Sequence, residues 1–167
     1  MFLLETERLA LRKFNLADAP FIFELLNTPT WLQFIGDRGV RSVADAENYL
    51  KNGSLKSYQE NGFGFYCVEE KSSKRAVGMC GFIKREDLEN VDLGFAFLPD
   101  YTGKGFGYEI AKATLNYGKD VLKLGRIIAI VDPKNLASNA LLKKLGFVFE
   151  KTIRFGEKKD LLNLYRI

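Results

Sequence analysis

Residues 101–113 read YTGKGFGYEIAKA, with Gly103, Lys104, Gly105 and Gly107 crowded ahead of an ordinary helical sequence. At a helix start successive peptide N–H groups lack partners, the macrodipole is positive, and glycines let a bulky anion approach without Cβ contacts. A pyrophosphate is the natural guest of such a segment. Two better-known phosphate loops do not fit. A Walker A loop needs a glycine at position 98, where Leu98 stands, and a hydroxyl residue at position 105, where Gly105 stands. The dinucleotide fingerprint needs its third glycine where Tyr108 or Ile110 stands. Taken alone, the segment also reads as a glycine-rich turn that merely enters a helix, so its surroundings must decide.

The chain has no histidine, which removes Ser-His-Asp and Cys-His nucleophilic schemes and the commonest zinc ligand. Cys67 and Cys80 lie in apolar runs, FGFYCVEE and AVGMCGFIK, and read as buried free thiols of a reducing compartment. Two isolated cysteines make no structural zinc site, and no metal is expected. Chemistry is left to carboxylates, hydroxyls, backbone groups or a borrowed cofactor. The 25 basic residues are scattered among 21 acidic ones, and the net charge of +4 mildly favours an anionic ligand. No basic stripe interleaves with the aromatics, so no nucleic-acid partner is expected. The opening MFLLETERLA sets acidic residues directly behind its apolar run, unlike a signal or transit peptide. No stretch approaches the roughly 20 apolar residues that span a bilayer. The expectation is a cytoplasmic protein with no membrane partner.

The elements that must position the glycine segment follow from periodicity. Alternation predicts a first strand over Thr6–Arg12, and Asn15 caps a helix running to Leu26. TPTWLQFIGDRGVRS, rich in turn formers, reads as a long loop with exposed Trp31 and Phe34. A capping box at Ser42 and Asp45 opens a second helix, Val43–Asn52, stopped at Gly53. Strands over Gly64–Glu69, Arg75–Phe82 and Asn90–Leu98 form an antiparallel meander. The helix behind the glycines buries Phe106, Ile110, Thr114, Tyr117, Val121 and Leu124 on one face and stops at Gly125. Arg126–Val131 reads as a strand buried on both faces. Asn135 caps a short helix with Leu141, Leu142 and Leu145 inward and Gly146 as its left-handed C-cap, and FVFEKTIRF with DLLNLYRI makes a final hairpin. The prediction is one domain over residues 1–167. Its fold class is α+β (an α/β mixed sheet), a mostly antiparallel sheet of about seven strands with about four helices and one parallel crossover around the glycine helix.

In this setting the chain resembles the GNAT N-acetyltransferases along almost its whole length, most closely the RimJ/RimL-like branch. TGKGFG matches the family's acetyl-CoA loop, [QR]-x-x-G-x-[GA], with Gly105 and Gly107 in the glycine positions and Thr102 where Gln or Arg is usual. ETERLALRKF resembles the family's opening strand, and VDLGFAFLPD resembles the strand before the loop. DPKNLASNALLKKLGF is similar to the family's N-x-x-S-x-x-L-x-x-K-x-G-F helix, with Asn135, Ser138, Gly146 and Phe147 at the expected places.

The resemblance implies acetyl-CoA as cosubstrate and direct attack of a primary amine, on a protein N-terminus or a small molecule, on its thioester. It implies CoA contacts from Thr102, Gly103, Lys104, Gly105, Phe106, Gly107, Tyr108, Asn135 and Ser138, and a backbone oxyanion donor among Phe95, Ala96, Phe97 and Leu98. Small residues alternate with large ones along that strand, so one face could leave room for pantetheine. The amine must lose a proton from a pKa near 10.4. Asp92 and Glu109 are the candidate bases. The family's usual tyrosine acid is replaced here by Leu142, which leaves Ser138 as the candidate acid. Trp31, Phe34 and Tyr66 are candidates to wall the acceptor pocket, and Asp37 to attract a cationic amine. The alternative is a catalytically silent acyl-CoA-binding sensor or scaffold, and either would be a monomer or homodimer.

Overall fold

A computed structural model describes residues 1–167. Its strands are β1 (Leu4–Glu5), β2 (Leu9–Lys13), β3 (Phe65–Glu70), β4 (Arg75–Ile83), β5 (Val91–Phe97), β6 (Ile127–Val131), β7 (Val148–Phe155) and β8 (Asp160–Arg166). Its helices are α1 (Ala19–Leu26), α2 (Pro29–Phe34), α3 (Val43–Leu50), α4 (Lys56–Asn61), α5 (Phe106–Asp120) and α6 (Leu136–Lys144). The strands form one eight-stranded sheet ordered β1-β2-β3-β4-β5-β6-β8-β7. Every neighbouring pair is antiparallel except β5 and β6, whose parallel contact needs the crossover that α5 supplies.

Period-two patterning divides the core between the two faces of this sheet. Tyr66, Val68, Cys80, Phe82 and Leu93 meet Ile110, Ala111 and Leu115 of α5 on one face. Cys67, Met79 and Leu98 meet Ile22, Leu25, Ala46 and Leu50 of α1 and α3 on the other. Each such aliphatic side chain contributes about 1.5–3 kcal/mol by leaving water. Both cysteines are free and buried, and desolvation pushes each thiol up to about 12.

The class and element order agree with expectation, while four boundaries need correction. β1 was not predicted, because two residues carry no period; it pairs back on β2 through Leu4 and Leu11. The expected loop after Asn27 contains α2, started by Pro29 at its first turn and by Thr28, whose hydroxyl accepts the Trp31 N–H. The second predicted helix does not stop at Gly53, which lacks a positive φ. It passes through a π-helical turn, Lys51–Leu55, into α4 and ends at Gly62, at φ 79°. Finally, α5 ends at Asp120 and not at Gly125. The chain leaves it through Lys123, at φ 56°, with the Leu124 N–H returning to the Gly118 carbonyl at 2.9 Å.

Candidate active site

Two backbone features stand out, one in β5 and one in the loop that follows it; Gly103 to Tyr108 do not line the groove described below. β5 and β6 pair only through Val91 with Ile127 and Asp92 with Ile128, although both strands continue. Beyond that point they part and form a wedge. The Leu98 N–H donates to the Val77 carbonyl at 2.9 Å, and the alternation of an antiparallel ladder sends the N–H groups of Ala96 and Gly94 toward β4 as well. Those of Phe95 and Phe97 therefore face the wedge. Leu98 and Ala96 are excluded from the expected donor set, since their N–H groups are given to β4.

The second feature is the loop into α5. No amide from Gly103 to Tyr108 donates to a backbone acceptor within the chain; the first to do so is Glu109, to Gly105. Gly103 and Gly105 hold φ of 72° and 80°, where a side chain is strained, and the space at Gly103 is open. Gly107 serves a different purpose: its φ is ordinary, and a Cβ there would lie 3.0 Å from Leu141 of α6. It lets α6 pack against the start of α5. Gly94 is likewise a packing glycine, since a Cβ would sit 2.7 Å from the Phe65 ring. The small-residue face of β5 is thus partly filled by Phe65.

Side chains brace this loop. Glu109 accepts from the Thr6 hydroxyl at 2.6 Å, the Arg8 amide at 2.9 Å and the Arg8 guanidinium at 2.7 Å. Burial alone would raise its carboxyl, but these donors outweigh burial and hold it below its ordinary value. Arg8 also donates to the Lys104 carbonyl at 2.9 Å and lies over the Phe106 ring. Phe106 is buried and stacked on Tyr101, so only its N–H faces outward. Thr102 caps the preceding turn through the Pro99 carbonyl. Lys104 lies over Tyr101, and Tyr108 is flanked by Lys112 and Lys144. The loop's exterior is consequently basic. Sequence reasoning missed Arg8, although its place in ETERLALRKF was visible.

Between the wedge and the α2–α4 layer runs a groove of about 1410 Å³. That exceeds the roughly 300–1,000 Å³ typical of a one-ligand site and leaves space for two substrates. Asp92, Phe95, Ala96, Asn135, Ser138, Trp31 and Phe34 line it. Asp92 is 2% exposed; one oxygen accepts from Arg85 Nε at 2.9 Å, and the other, Oδ1, is buried without a hydrogen-bond partner. Burial pushes the carboxyl up to about 6, against the charge and hydrogen bond of Arg85 and the nearby Ile130 amide. An orphaned buried oxygen at a groove wall is a proton acceptor waiting for a donor. Glu109 does not border this groove, and its oxygens are occupied in the brace.

Across the wedge, the Asn135 side chain accepts the Ser138 N–H at 3.1 Å and so starts α6. Asn139, which sequence reasoning passed over, is buried. It donates to the carbonyls of Asp132 and Asn135 and accepts from Tyr165 at 2.7 Å and Asn163 at 3.1 Å. It fixes the turn that presents Ser138. Leu142 is 1% exposed and offers no hydroxyl.

Two expected acceptor residues are corrected. Tyr66 is 1% exposed on the opposite face of the sheet, stacked on Tyr58 and edge-on to Tyr117, so it cannot wall the groove. Asp37 is outside the groove and closed by a bidentate pair with Arg41, which holds its carboxyl well below the usual range. Trp31 does line the groove, but as a buried side chain whose indole N–H donates to Gly36 and not as the exposed residue expected.

Comparison with known proteins identifies the family of the chain. Residues 8–148 match the model of the acetyltransferase (GNAT) domain. The N-acetyltransferase p20 of Bacillus licheniformis is 32% identical over 168 residues, covering 97% of this chain and 92% of that protein. The ribosomal protein uS5-alanine N-acetyltransferase of Escherichia coli is 28% identical over 113 residues, 66% of this chain and 56% of that protein, in keeping with the RimJ/RimL-like branch. A GNAT-family acetyltransferase from Bacillus anthracis superposes with a TM-score of 0.81 at 28% identity, over 100% of this chain and 98% of that one. No helix is long and apolar enough to cross a membrane. The chain belongs to the GNAT family of acetyltransferases, the acetyl-CoA-dependent N-acetyltransferases.

Proposed function

We propose that the protein transfers the acetyl group of acetyl-CoA to a primary amine by direct attack in a ternary complex. The observation that carries this reading is the orphaned Asp92 oxygen in the same groove as the β5–β6 wedge. The free amides of Gly103 to Tyr108 hold the pyrophosphate, with Lys104 adding charge, and the parted edge of β5 pairs with the pantetheine amides. An N–H of Phe95 or Phe97 stabilises the oxyanion as the C–N bond forms and the C–S bond breaks.

Asp92 takes the first proton from the acceptor ammonium, directly or through water, and a second leaves the nitrogen after attack. The departing thiolate receives one proton by way of Ser138, and the other goes to solvent. Glu109, with its oxygens filled, positions the loop together with Arg8. Free-thiol release from acetyl-CoA across a panel of primary amines tests the proposal. Amine-dependent release supports it. Stabilisation by acetyl-CoA with no release for any amine would leave an acyl-CoA-binding module, a role consistent with the buried Leu142.

A further inference from the structure

The groove carries a second polar group that the transfer chemistry does not use. Arg85, half-buried, spends only its Nε on Asp92; its two terminal nitrogens have no partner in the chain. The guanidinium lies 5.4 Å from the centre of the Phe155 ring, which holds its plane in place at the groove wall. Arg38 borders the same groove without an ion pair, and the Tyr49 phenol senses both Arg38 and Arg85 as positive neighbours. Lys84 and Lys158 add further positive charge to this wall. Each of the groove's other carboxylates is less buried than Asp92. Asp45 accepts from the Arg41 amide, Asp132 from the Lys134 amide, and Glu60 pairs with Lys56, which leaves Asp160. A polyamine would meet one buried carboxylate among several cations.

An unpartnered acceptor, Asp92 Oδ1, therefore adjoins unpartnered donors on Arg85, the complement of a molecule that bears both an ammonium and a carboxylate. We infer that the acceptor is a small zwitterionic amine of the amino-acid class. Its amine is received by Asp92 and its carboxylate by the terminal nitrogens of Arg85, with Arg38 behind them. This assignment rests on the acetyltransferase reading and deepens it by naming the substrate class.

The test is thiol release from acetyl-CoA with the full chain, using α- and ω-amino acids, their carboxamides and spermidine. Losing a charge-assisted contact lowers kcat/KM on the order of 10- to 100-fold. The best amino acid is expected to exceed its own carboxamide by that factor, although the carboxamide's amine is the easier to deprotonate. Arg85→Gln is expected to bring the acid-to-carboxamide ratio close to one. Arg38→Gln, at a side chain with no hydrogen bond or ion pair in the chain, is expected to reduce the ratio in part and keeps the test valid should Arg85→Gln fail to fold. Equal turnover of acid and carboxamide, or a preference for spermidine, overturns the zwitterion assignment and leaves the transfer reading standing. No release with any amine overturns both.

Discussion

Replacing Asp92 with Asn should stabilise the protein while disabling it. The carboxyl is raised from its ordinary 3.8 to about 6 because burial outweighs Arg85 and the Ile130 amide. With 1.36 kcal/mol per unit, keeping Asp92 ionised costs about 3 kcal/mol at pH 8. The folded state holds this proton more tightly than the unfolded chain does. Asp92's contribution to stability is thus fully present below about pH 4 and is lost as pH rises to about 6 and beyond. Asn imitates the protonated acid, so Asp92→Asn should match the wild type near pH 4 and exceed it by up to about 3 kcal/mol above pH 7. Urea unfolding at pH 4.5, 6 and 8 reads the difference. In parallel, the ascending limb of kcat/KM, with an apparent pKa near 6 in the wild type, should vanish in the variant along with a 10²–10⁴-fold loss in rate. A variant less stable than the wild type at pH 8, or a difference that does not change with pH, would show that the Arg85 pair stabilises the fold and that Asp92 is not held as a strained base.

Three further outcomes follow from the loop and α6. Glu109→Gln and Arg8→Ala loosen the brace on Gly103–Gly107, so steady-state kinetics should show a higher KM for acetyl-CoA with a much smaller change in kcat. A fall in kcat alone would mean that Glu109 works on the acceptor. Gly107→Val meets Leu141 at 3.0 Å, and thermal unfolding should show a loss of about 1–3 kcal/mol from overpacking; unchanged stability would contradict its packing role. Ser138→Ala should slow thiol release without altering acetyl-CoA binding measured by titration, since its N–H and not its hydroxyl anchors α6. A change in binding alone would remove Ser138 from proton transfer.

The elements of the proposed donor half were the more legible in sequence because they are built from backbone. Glycines, caps and strand alternation leave local signatures, and YTGKGFGYEIAKA, Asn135 and VDLGFAFLPD each kept the place their spacing assigned. What sequence left open were long-range side-chain relations. Glu109 is held by Thr6 and Arg8, more than 100 positions earlier, through a contact no local pattern encodes. Asp92 and Glu109 were both candidate bases in the sequence, and no local pattern told that Asp92 is buried and Glu109 is not. Tyr66 could be placed on a face only once the register of β3 against β4 was known, since a shift of one residue would have turned it toward the groove. Arg85 lies in the charged segment KREDLEN, where no local pattern marks it; Asp92 and Phe155 meet it from two other strands.

The central claim is that the free amides at the mouth of α5 cradle the pyrophosphate of CoA. Calorimetric titration of acetyl-CoA into the wild type and Gly105→Val tests it most directly. Position 105 holds φ 80°, and a valine there must distort the loop at a cost of about 1–2 kcal/mol, with its Cβ 3.4 Å from the Arg8 guanidinium that braces the loop. Saturable binding to the wild type, weakened at least about tenfold in a variant that still unfolds cooperatively, is the predicted result. Absence of binding to the wild type, or equal affinity in the folded variant, would contradict the account.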